Sequence, residues 1–242
     1  MTLQVKAGGT WYSATPYVKA SGTWYPVQSG WVKVSGVWRQ FFTAAGPPPP
    51  PFTPFTDTYY GSSGTETVPT GASYLTIVAI GGGASGGEGS TGSGDPGPDY
   101  GGGGGGSSAR TEYTITLTAS DWGRTLSWSV GAGGPGFPPD NAASSTVSGT
   151  LVNGSISMTA GHGIIGGSGS SSGPGFGGAG GTASGGTTNY NGNAGMDGLT
   201  YYGGQGGSTP GGTLQGSGST GAVGQSSFAS DGAPGLISFA WT

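Results

Sequence analysis

The sequence contains no cysteine and one histidine, and only 7% of its 242 residues are charged. Without cysteine, neither disulfides nor thiolate metal sites can hold the chain together. Six lysine and arginine residues stand against ten acidic residues, so the basic surface that nucleic acids require is missing. Valine, isoleucine, leucine and phenylalanine make up about 14% of the chain. This scarcity excludes an ordinary helical domain and most single-core enzymes.

Long apolar runs are missing as well. The longest one, at 75–80, is far too short to span a membrane. The N-terminal residues contain no apolar stretch of signal-peptide length. We therefore expect a soluble protein that is made in the cytoplasm, is not exported by a signal peptide and does not insert into membranes. No cofactor is expected.

Glycine, by contrast, occupies 59 positions, against a usual share of roughly 7%, and it dominates 81–106 and 161–235. No window has helical periodicity, so we expect an all-β fold with almost no α-helix. Glycine segments can be ordered if their backbones pack side by side as extended helices with three residues per turn, or as tight loops on a β scaffold. Two stretches keep a three-residue glycine period: Gly192, Gly195, Gly198 and Gly218, Gly221, Gly224.

The first 42 residues contain a repeat with three units, which read VKAGGTW (5–11), VKASGTW (18–24) and VKVSGVW (32–38). In each unit two short β-type runs meet at a glycine, which predicts a hairpin. Three such hairpins scarcely bury enough surface to be stable alone, so we expect a partner or self-association. The residues predicted to mediate this assembly are Trp11, Trp24, Trp31 and Trp38.

The sequence predicts three parts: an aromatic β-repeat attachment module at 1–45, a proline-rich linker at 46–56 and a glycine-rich β domain at 57–242. Pro47 to Pro51 predict a stiff polyproline II spacer, with a ligand for a proline-recognition domain as the alternative. The Asn153-Gly154 pair predicts a hairpin turn, and Asp121-Trp122-Gly123 predicts another turn. Strands are predicted at 65–68, 74–80, 109–118, 125–130, 147–151, 155–159 and 236–241.

Several catalytic or ligand-binding patterns lack the context that they need. Gly81, Gly83 and Gly86 fit a dinucleotide-binding pattern, but no helix follows to receive a pyrophosphate. Ser85 lies in a G-x-S-x-G pattern with His162 as the one available base, again without a helix. A turn from Asp95 to Asp99 would bring two carboxylates together, but regularly spaced oxygen ligands for Ca²⁺ are missing. We therefore predict that the protein is not an enzyme.

Aromatic and amide side chains interrupt the second glycine region. They are Phe176, Tyr190, Asn191, Tyr201 and Tyr202. Rings stack on a ligand and amides donate and accept hydrogen bonds, with little loss of side-chain entropy. We predict that these residues bind a receptor; the alternative is that the rings pack locally over the glycine scaffold.

The V-K-x-S-G-x-W unit resembles segments common in tail and tail-fibre proteins of tailed bacteriophages. The stretches 74–83, 128–134 and 232–237 are similar to the glycine-rich domain of phage minor tail proteins and adhesins. This resemblance implies a virion protein in the tail or tail tip that is bound to other tail proteins. It also implies recognition of a host surface glycan or an outer-surface protein through loops between glycine motifs. We expect a homo-oligomer, with a trimer favoured.

Two other functions remain open at this point. One is a purely structural role as a tail or capsid decoration protein without receptor binding. The other is hydrolysis of a surface polysaccharide, for which no acid–base pair stands out among the scattered carboxylates.

Overall fold

The structure, a computed structural model, describes residues 4–7, 10–13, 17–20, 23–27, 29–43, 52–90, 99–136, 140–212, 215–223 and 229–242. The chain divides into two compact units, Met1–Pro51 and Phe52–Thr242. Within the described ranges there is no α-helix, and the all-β prediction is confirmed. Accordingly, these ranges contain no helix long and apolar enough to cross a bilayer. The predicted proline spacer, Pro47 to Pro51, lies outside the described residues.

The first unit consists of short hairpins, as the repeat predicts. Its strands are β1 (Gln4–Ala7), β2 (Thr10–Ser13), β3 (Tyr17–Ala20), β4 (Thr23–Pro26), β5 (Ser29–Val34) and β6 (Val37–Thr43). They pair as β1–β2, β3–β4 and β5–β6, all antiparallel. In the third hairpin, Ser35 and Gly36 have φ angles of 53° and 84°. Two left-handed residues make a type I′ turn, whose twist suits antiparallel strands and favours the glycine of the repeat.

The second unit contains two five-stranded antiparallel sheets. Its strands are β7 (Phe55–Tyr59), β8 (Ser63–Thr67), β9 (Tyr74–Ile80), β10 (Arg110–Thr116), β11 (Thr125–Ser129), β12 (Ser145–Leu151), β13 (Gly154–Ala160), β14 (Ala183–Ser184), β15 (Thr188–Tyr190) and β16 (Leu236–Trp241). One sheet has the order β15-β10-β9-β16-β7, and the other has the order β14-β13-β12-β11-β8.

The two sheets pack face to face around one apolar core. Buried and less buried residues alternate along β9, β11, β12, β13 and β16, which is the period-two pattern of a sheet with one covered face. In β16, for example, Ile237, Phe239 and Trp241 are fully buried. Tyr59 of one sheet stacks on Trp128 of the other, with ring centroids 4.1 Å apart. Aromatic contacts of this kind help to hold the sandwich closed.

The strand boundaries differ from the predicted ones in a few places. The predicted strands 74–80 and 236–241 match β9 and β16. The hairpin between β12 and β13 is confirmed, but its turn residues are Val152 and Asn153, because Gly154 already pairs with Leu151. β7 begins at Phe55, two residues before the predicted domain. The short strands β14 and β15 were not predicted, because the surrounding glycines hide their pattern.

Beyond the sandwich, several strands continue directly into extended glycine-rich segments. β9 runs into 81–90 and β13 into 161–169, whereas 101–109 leads into β10. The junctions lie side by side: the Gly81 amide donates to the Ala109 carbonyl (3.3 Å), and the Ala109 amide donates to the Gly161 carbonyl (2.9 Å). These segments therefore form a bundle that extends from one end of the sandwich.

Segment 101–109 is the centre of this bundle. Every third amide donates to 161–169: Gly103, Gly106 and Ala109 donate to Gly167, Ile164 and Gly161 at 2.8–2.9 Å. The amides of residues 101, 104 and 107 donate to segment 191–199, and those of residues 102, 105 and 108 donate to segment 215–223. Each neighbour therefore meets the central segment once per three residues, which is the period of a polyglycine II or polyproline II helix.

The carbonyls of the central segment follow the same rule. They accept amides from 81–90, 173–182 and 202–209, again at every third residue. The central helix thus has six neighbours, three that accept its hydrogen bonds and three that donate to it. Of the two arrangements left open by the sequence, the structure contains the bundle of three-residue helices rather than loops on a β scaffold.

Candidate functional site

The bundle forms because glycine leaves the space that neighbouring backbones fill. A Cβ added to Gly103 would lie 1.9 Å from the Phe176 carbonyl oxygen. The residues Gly101 to Gly106 all have a neighbouring carbonyl oxygen within 1.9–2.3 Å of the added Cβ position. The triplet glycines of a neighbouring segment make the same close contact with the central one. A Cβ added to Gly192, Gly195 or Gly198 would point at the carbonyls of 101–109. At these glycine positions the neighbouring backbone leaves no room for a side chain.

Outward-facing aromatic and apolar side chains gather near the end of the bundle that lies away from the sandwich. We call this group the distal patch; its members are Phe176, Met196, Leu199, Tyr201 and Tyr202. Each of them is more than half exposed, and Phe176 reaches 76%. Exposed apolar side chains in a contiguous group mark an interaction surface more often than isolated ones do.

A tight turn positions three members of the distal patch. It joins segment 191–199 to segment 202–209, with the Leu199 amide donating to the Tyr202 carbonyl at 2.8 Å. Tyr201 has a φ angle of 67°, which is uncommon for an aromatic residue and accompanies functional sites more often than other loops. Its amide donates to the Asp99 carbonyl at 2.9 Å. The turn therefore holds Tyr201 and Tyr202 exposed on a backbone bonded to its neighbours.

Phe176 lies beside this turn on the adjacent segment 173–182. The amide on its C-terminal side, that of Gly177, donates to the Asp197 carboxylate at 2.7 Å. On its N-terminal side, the Gly175 carbonyl accepts the amide of Gly198 at 2.8 Å. Phe176 is thus held next to the segment that carries Met196 and Leu199.

The predicted receptor-binding residues do not all come together. Tyr190 lies on β15, where the Arg110 guanidinium sits 5.9 Å from its ring centroid, and the Asn191 side-chain carbonyl accepts the Ala183 amide at 3.1 Å. Both residues are at the sandwich end of segment 191–199. At about 3.1 Å per residue, Tyr190 and Leu199 are separated by about 28 Å along the segment. The distal patch keeps Phe176, Tyr201 and Tyr202, whereas Tyr190 and Asn191 form a separate location.

Sequence reasoning missed Met196 and Leu199 as members of the patch. A signal for them exists in the chain: positions 193, 196 and 199 form one exposed row at the three-residue period, while Gly192, Gly195 and Gly198 form the inward row. Reading the glycine triplets as an inward face would have pointed to the apolar residues of the neighbouring row.

The predicted assembly tryptophans lie on the hairpins of the first unit. Trp11 is on β2, Trp24 on β4, Trp31 on β5 and Trp38 on β6. Trp31 and Trp38 are 53% and 63% exposed. The side chains of Trp11 and Trp24 lie outside the described part of the structure.

The catalytic patterns are not assembled into an active site. Ser85 is fully buried, and its hydroxyl donates to the Asp140 carbonyl at 2.9 Å and accepts the Asp140 amide. His162 pairs instead with Ser144, at 3.0 Å between Nδ1 and Oγ, and both line a cavity of about 350 Å³. In the described part of the chain, no carboxylate lies within ion-pair distance of the His162 ring. Of the predicted acidic pair, Asp95 lies outside the described residues.

No family model matches the chain, and no curated protein matches its sequence. The features that bear on function are therefore the distal patch and the hydrogen-bonded bundle that carries it.

Proposed function

We propose that this chain is a virion protein of a phage tail that attaches the particle to the host surface through the distal patch. The observation that carries the proposal is the concentration of exposed aromatic and apolar side chains at one end of a backbone-bonded bundle. A rigid carrier loses little entropy when the patch binds, so weak contacts translate efficiently into affinity. Tyrosine and phenylalanine supply contact area with few rotatable bonds.

The charges beside the patch narrow the class of receptor. Asp197 is exposed between Met196 and Leu199, and Asp99 lies against Tyr201 through a backbone hydrogen bond. Negative charge at these positions repels strongly anionic polymers. The proposed receptor is therefore a largely neutral glycan or an outer-surface protein of the host.

Attachment also requires the chain to be held on the particle, which we assign to the hairpins of residues 1–45. Several copies, in a homo-oligomer with a trimer favoured, would multiply weak contacts into firm adsorption by avidity. In this proposal the exposed aromatic side chains of the first unit contact the particle, and those of the second unit contact the host.

A variant that removes the rings of the patch tests this proposal. We expect Phe176→Ser/Tyr201→Asn/Tyr202→Ser to weaken binding of the purified protein to host cells by about tenfold or more, since rings of this kind dominate interface energetics. Asparagine is chosen at position 201 because it tolerates a positive φ. Binding is measured on intact cells with labelled protein.

Tyr190→Ser is the matched control, because it removes an exposed ring about 28 Å along the same segment. It should bind as the unmodified chain does. Loss of binding in this variant alone would move the receptor site to the other end of the bundle. Normal binding of the triple variant, or no binding by the unmodified chain, would favour the purely structural role.

A further inference from the structure

Charge is distributed unequally between the two units of the chain. Residues 1–51 contain four cations, Lys6, Lys19, Lys33 and Arg39, and no acidic residue. Residues 52–242 contain two cations and ten acidic residues. Both of those cations lie next to a carboxylate: Arg110 is 2.5 Å from Glu112, and Arg124 is 3.9 Å from Asp121. The hairpin unit therefore carries a net positive charge, whereas the glycine-rich unit carries a net negative one.

The three hairpins place their lysines in equivalent positions. In every hairpin a lysine lies directly opposite the tryptophan of the repeat: Lys6 opposite Trp11, Lys19 opposite Trp24, and Lys33 opposite Trp38. Residues directly opposite each other in an antiparallel pair are the closest cross-strand neighbours. The repeat therefore produces three copies of one lysine–tryptophan arrangement rather than three unrelated turns.

Near its turn, the third hairpin has exposed side chains on both faces. Lys33 and Trp38 are exposed on one face, and the directly opposed Val34 and Val37 are 47% and 59% exposed on the other. A two-stranded hairpin is only marginally stable by itself. Its exposed tryptophans and valines are the kind of surface that becomes buried against a partner.

We infer that the hairpin unit docks on an acidic protein surface, with each hairpin contributing one lysine charge and one tryptophan ring. The inference rests on the proposed function, in which this unit holds the chain on the particle. A second copy of the hairpin unit is a poor partner because it carries the same charge. A nucleic acid is disfavoured because the rest of the chain is acidic, and because tryptophan anchors are typical of protein interfaces.

The experiment compares two triple variants of the full chain. Lys6→Gln/Lys19→Gln/Lys33→Gln removes the charges, and Lys6→Arg/Lys19→Arg/Lys33→Arg keeps them. Two probes are used: particles assembled without this chain, and poly-L-glutamate as an acidic polypeptide. Binding to each is measured between about 50 and 500 mM salt, where exposed charges pass from weak to strong screening. Unfolding of the glycine-rich unit is followed in parallel as a check on folding.

The glutamine variant should bind both probes about tenfold more weakly at low salt, because three lysine charges that pair with the acidic partner are lost. Its binding should also lose most of its salt dependence. The arginine variant should stay within about twofold of the unmodified chain, because its charge is preserved.

Three results would overturn the inference: equal binding by the glutamine variant, tighter binding to duplex DNA than to poly-L-glutamate, or lysine-dependent self-association of the purified chain. The last two would identify a nucleic acid or a second copy as the partner. The cell-binding experiment on the distal patch tests the proposed function independently of these measurements. If the chain binds poly-L-glutamate through its lysines but not the particles, the proposed location fails while the acidic-partner inference stands.

Discussion

At the scale of one residue, the close approach of Gly103 to the Phe176 carbonyl shows how the bundle is held together. The two backbones approach so closely that the place of a Cβ is already occupied. Glycine has the largest conformational entropy to lose on folding. Here that loss is offset by the backbone hydrogen bonds that every residue of the central segment except Ser108 makes with two neighbouring segments.

We expect Gly103→Ala to lower the free energy of unfolding by about 3 kcal/mol, because the added methyl group meets the backbone of Phe176 and Gly177 and no rotamer change can relieve the clash. Chemical denaturation of the purified chain measures this change. The matched control is Gly173→Ala, since nothing lies within 4 Å of the Cβ position there and its φ is not positive. Equal stability of the two variants would contradict backbone packing as the source of order.

At the scale of elements, Asp121 joins two turns of the sandwich. Its side chain is fully buried and accepts the Val152 amide at 2.6 Å, the Thr118 amide at 2.9 Å and the Thr118 hydroxyl at 2.8 Å. Burial by itself raises the pKa of Asp121, but these hydrogen bonds and the nearby Arg124 outweigh it, so the pKa lies below its ordinary value of 3.8. The ionised carboxylate therefore stabilises the junction between the turn that precedes β11 and the β12–β13 turn.

Asp121→Asn should lower the free energy of unfolding at neutral pH by about 2 kcal/mol, because asparagine replaces one accepting oxygen with a donor and removes the charge. A lowered folded-state pKa contributes stability above the unfolded pKa, and that stability is lost as the pH falls through the folded pKa. The difference in stability between the two proteins should therefore begin to shrink as the pH falls below about 4 and keep shrinking until the pH is below the folded pKa. Denaturation curves across this range measure the effect.

Asp57→Asn is the control for this prediction, because Asp57 is a half-exposed carboxyl on β7. Its substitution should change stability by less than about 0.5 kcal/mol, as is usual for surface positions. A constant difference between the unmodified chain and Asp121→Asn at every pH would show that the carboxylate's charge is irrelevant.

At the scale of the whole molecule, the sandwich and the bundle belong to one folded unit with its own core. The apolar core formed by the described residues lies within 52–242 and includes Leu75, Phe239 and Trp241. The strands that supply this core continue into the glycine segments, so the two layers and the bundle are expected to unfold together.

A chain of residues 52–242 alone should keep its unfolding midpoint within about 4 °C of that of the full chain, a change of roughly 1 kcal/mol for a unit of this size. Thermal unfolding followed by far-UV circular dichroism measures it. The control is Phe239→Ala, introduced into the full chain and into residues 52–242, and it should destabilise each protein by about 3–5 kcal/mol. Loss of a cooperative transition on truncation would mean that the unit depends on residues 1–51.

Much of the local structure was predictable. The hairpin repeat, β9, β16 and the Asn153 turn follow from alternation and turn chemistry, which act over a few residues. The inward face of segment 191–199 was visible as the Gly192, Gly195 and Gly198 triplet. β14 and β15 were not, because their pairing depends on strands far away in the chain.

The residues predicted to bind a receptor were likewise only partly predictable. Phe176, Tyr190, Tyr201 and Tyr202 stand out from the composition, but nothing local separates Tyr190 from the others. Their separation depends on the direction of segment 191–199, which starts at a sheet edge and ends at the tight turn. Met196 and Leu199 join the patch only because the neighbouring segments lie beside them.

By itself, the sequence determined the all-β character, the three hairpins and the need for close backbone contact, because these follow from side-chain size and short-range geometry. Tertiary structure alone decided which segment is central, which neighbours take its hydrogen bonds and which rings share an end of the bundle. Those features depend on contacts between residues distant in the chain. A segment made almost entirely of glycine carries little information in its side chains to specify them.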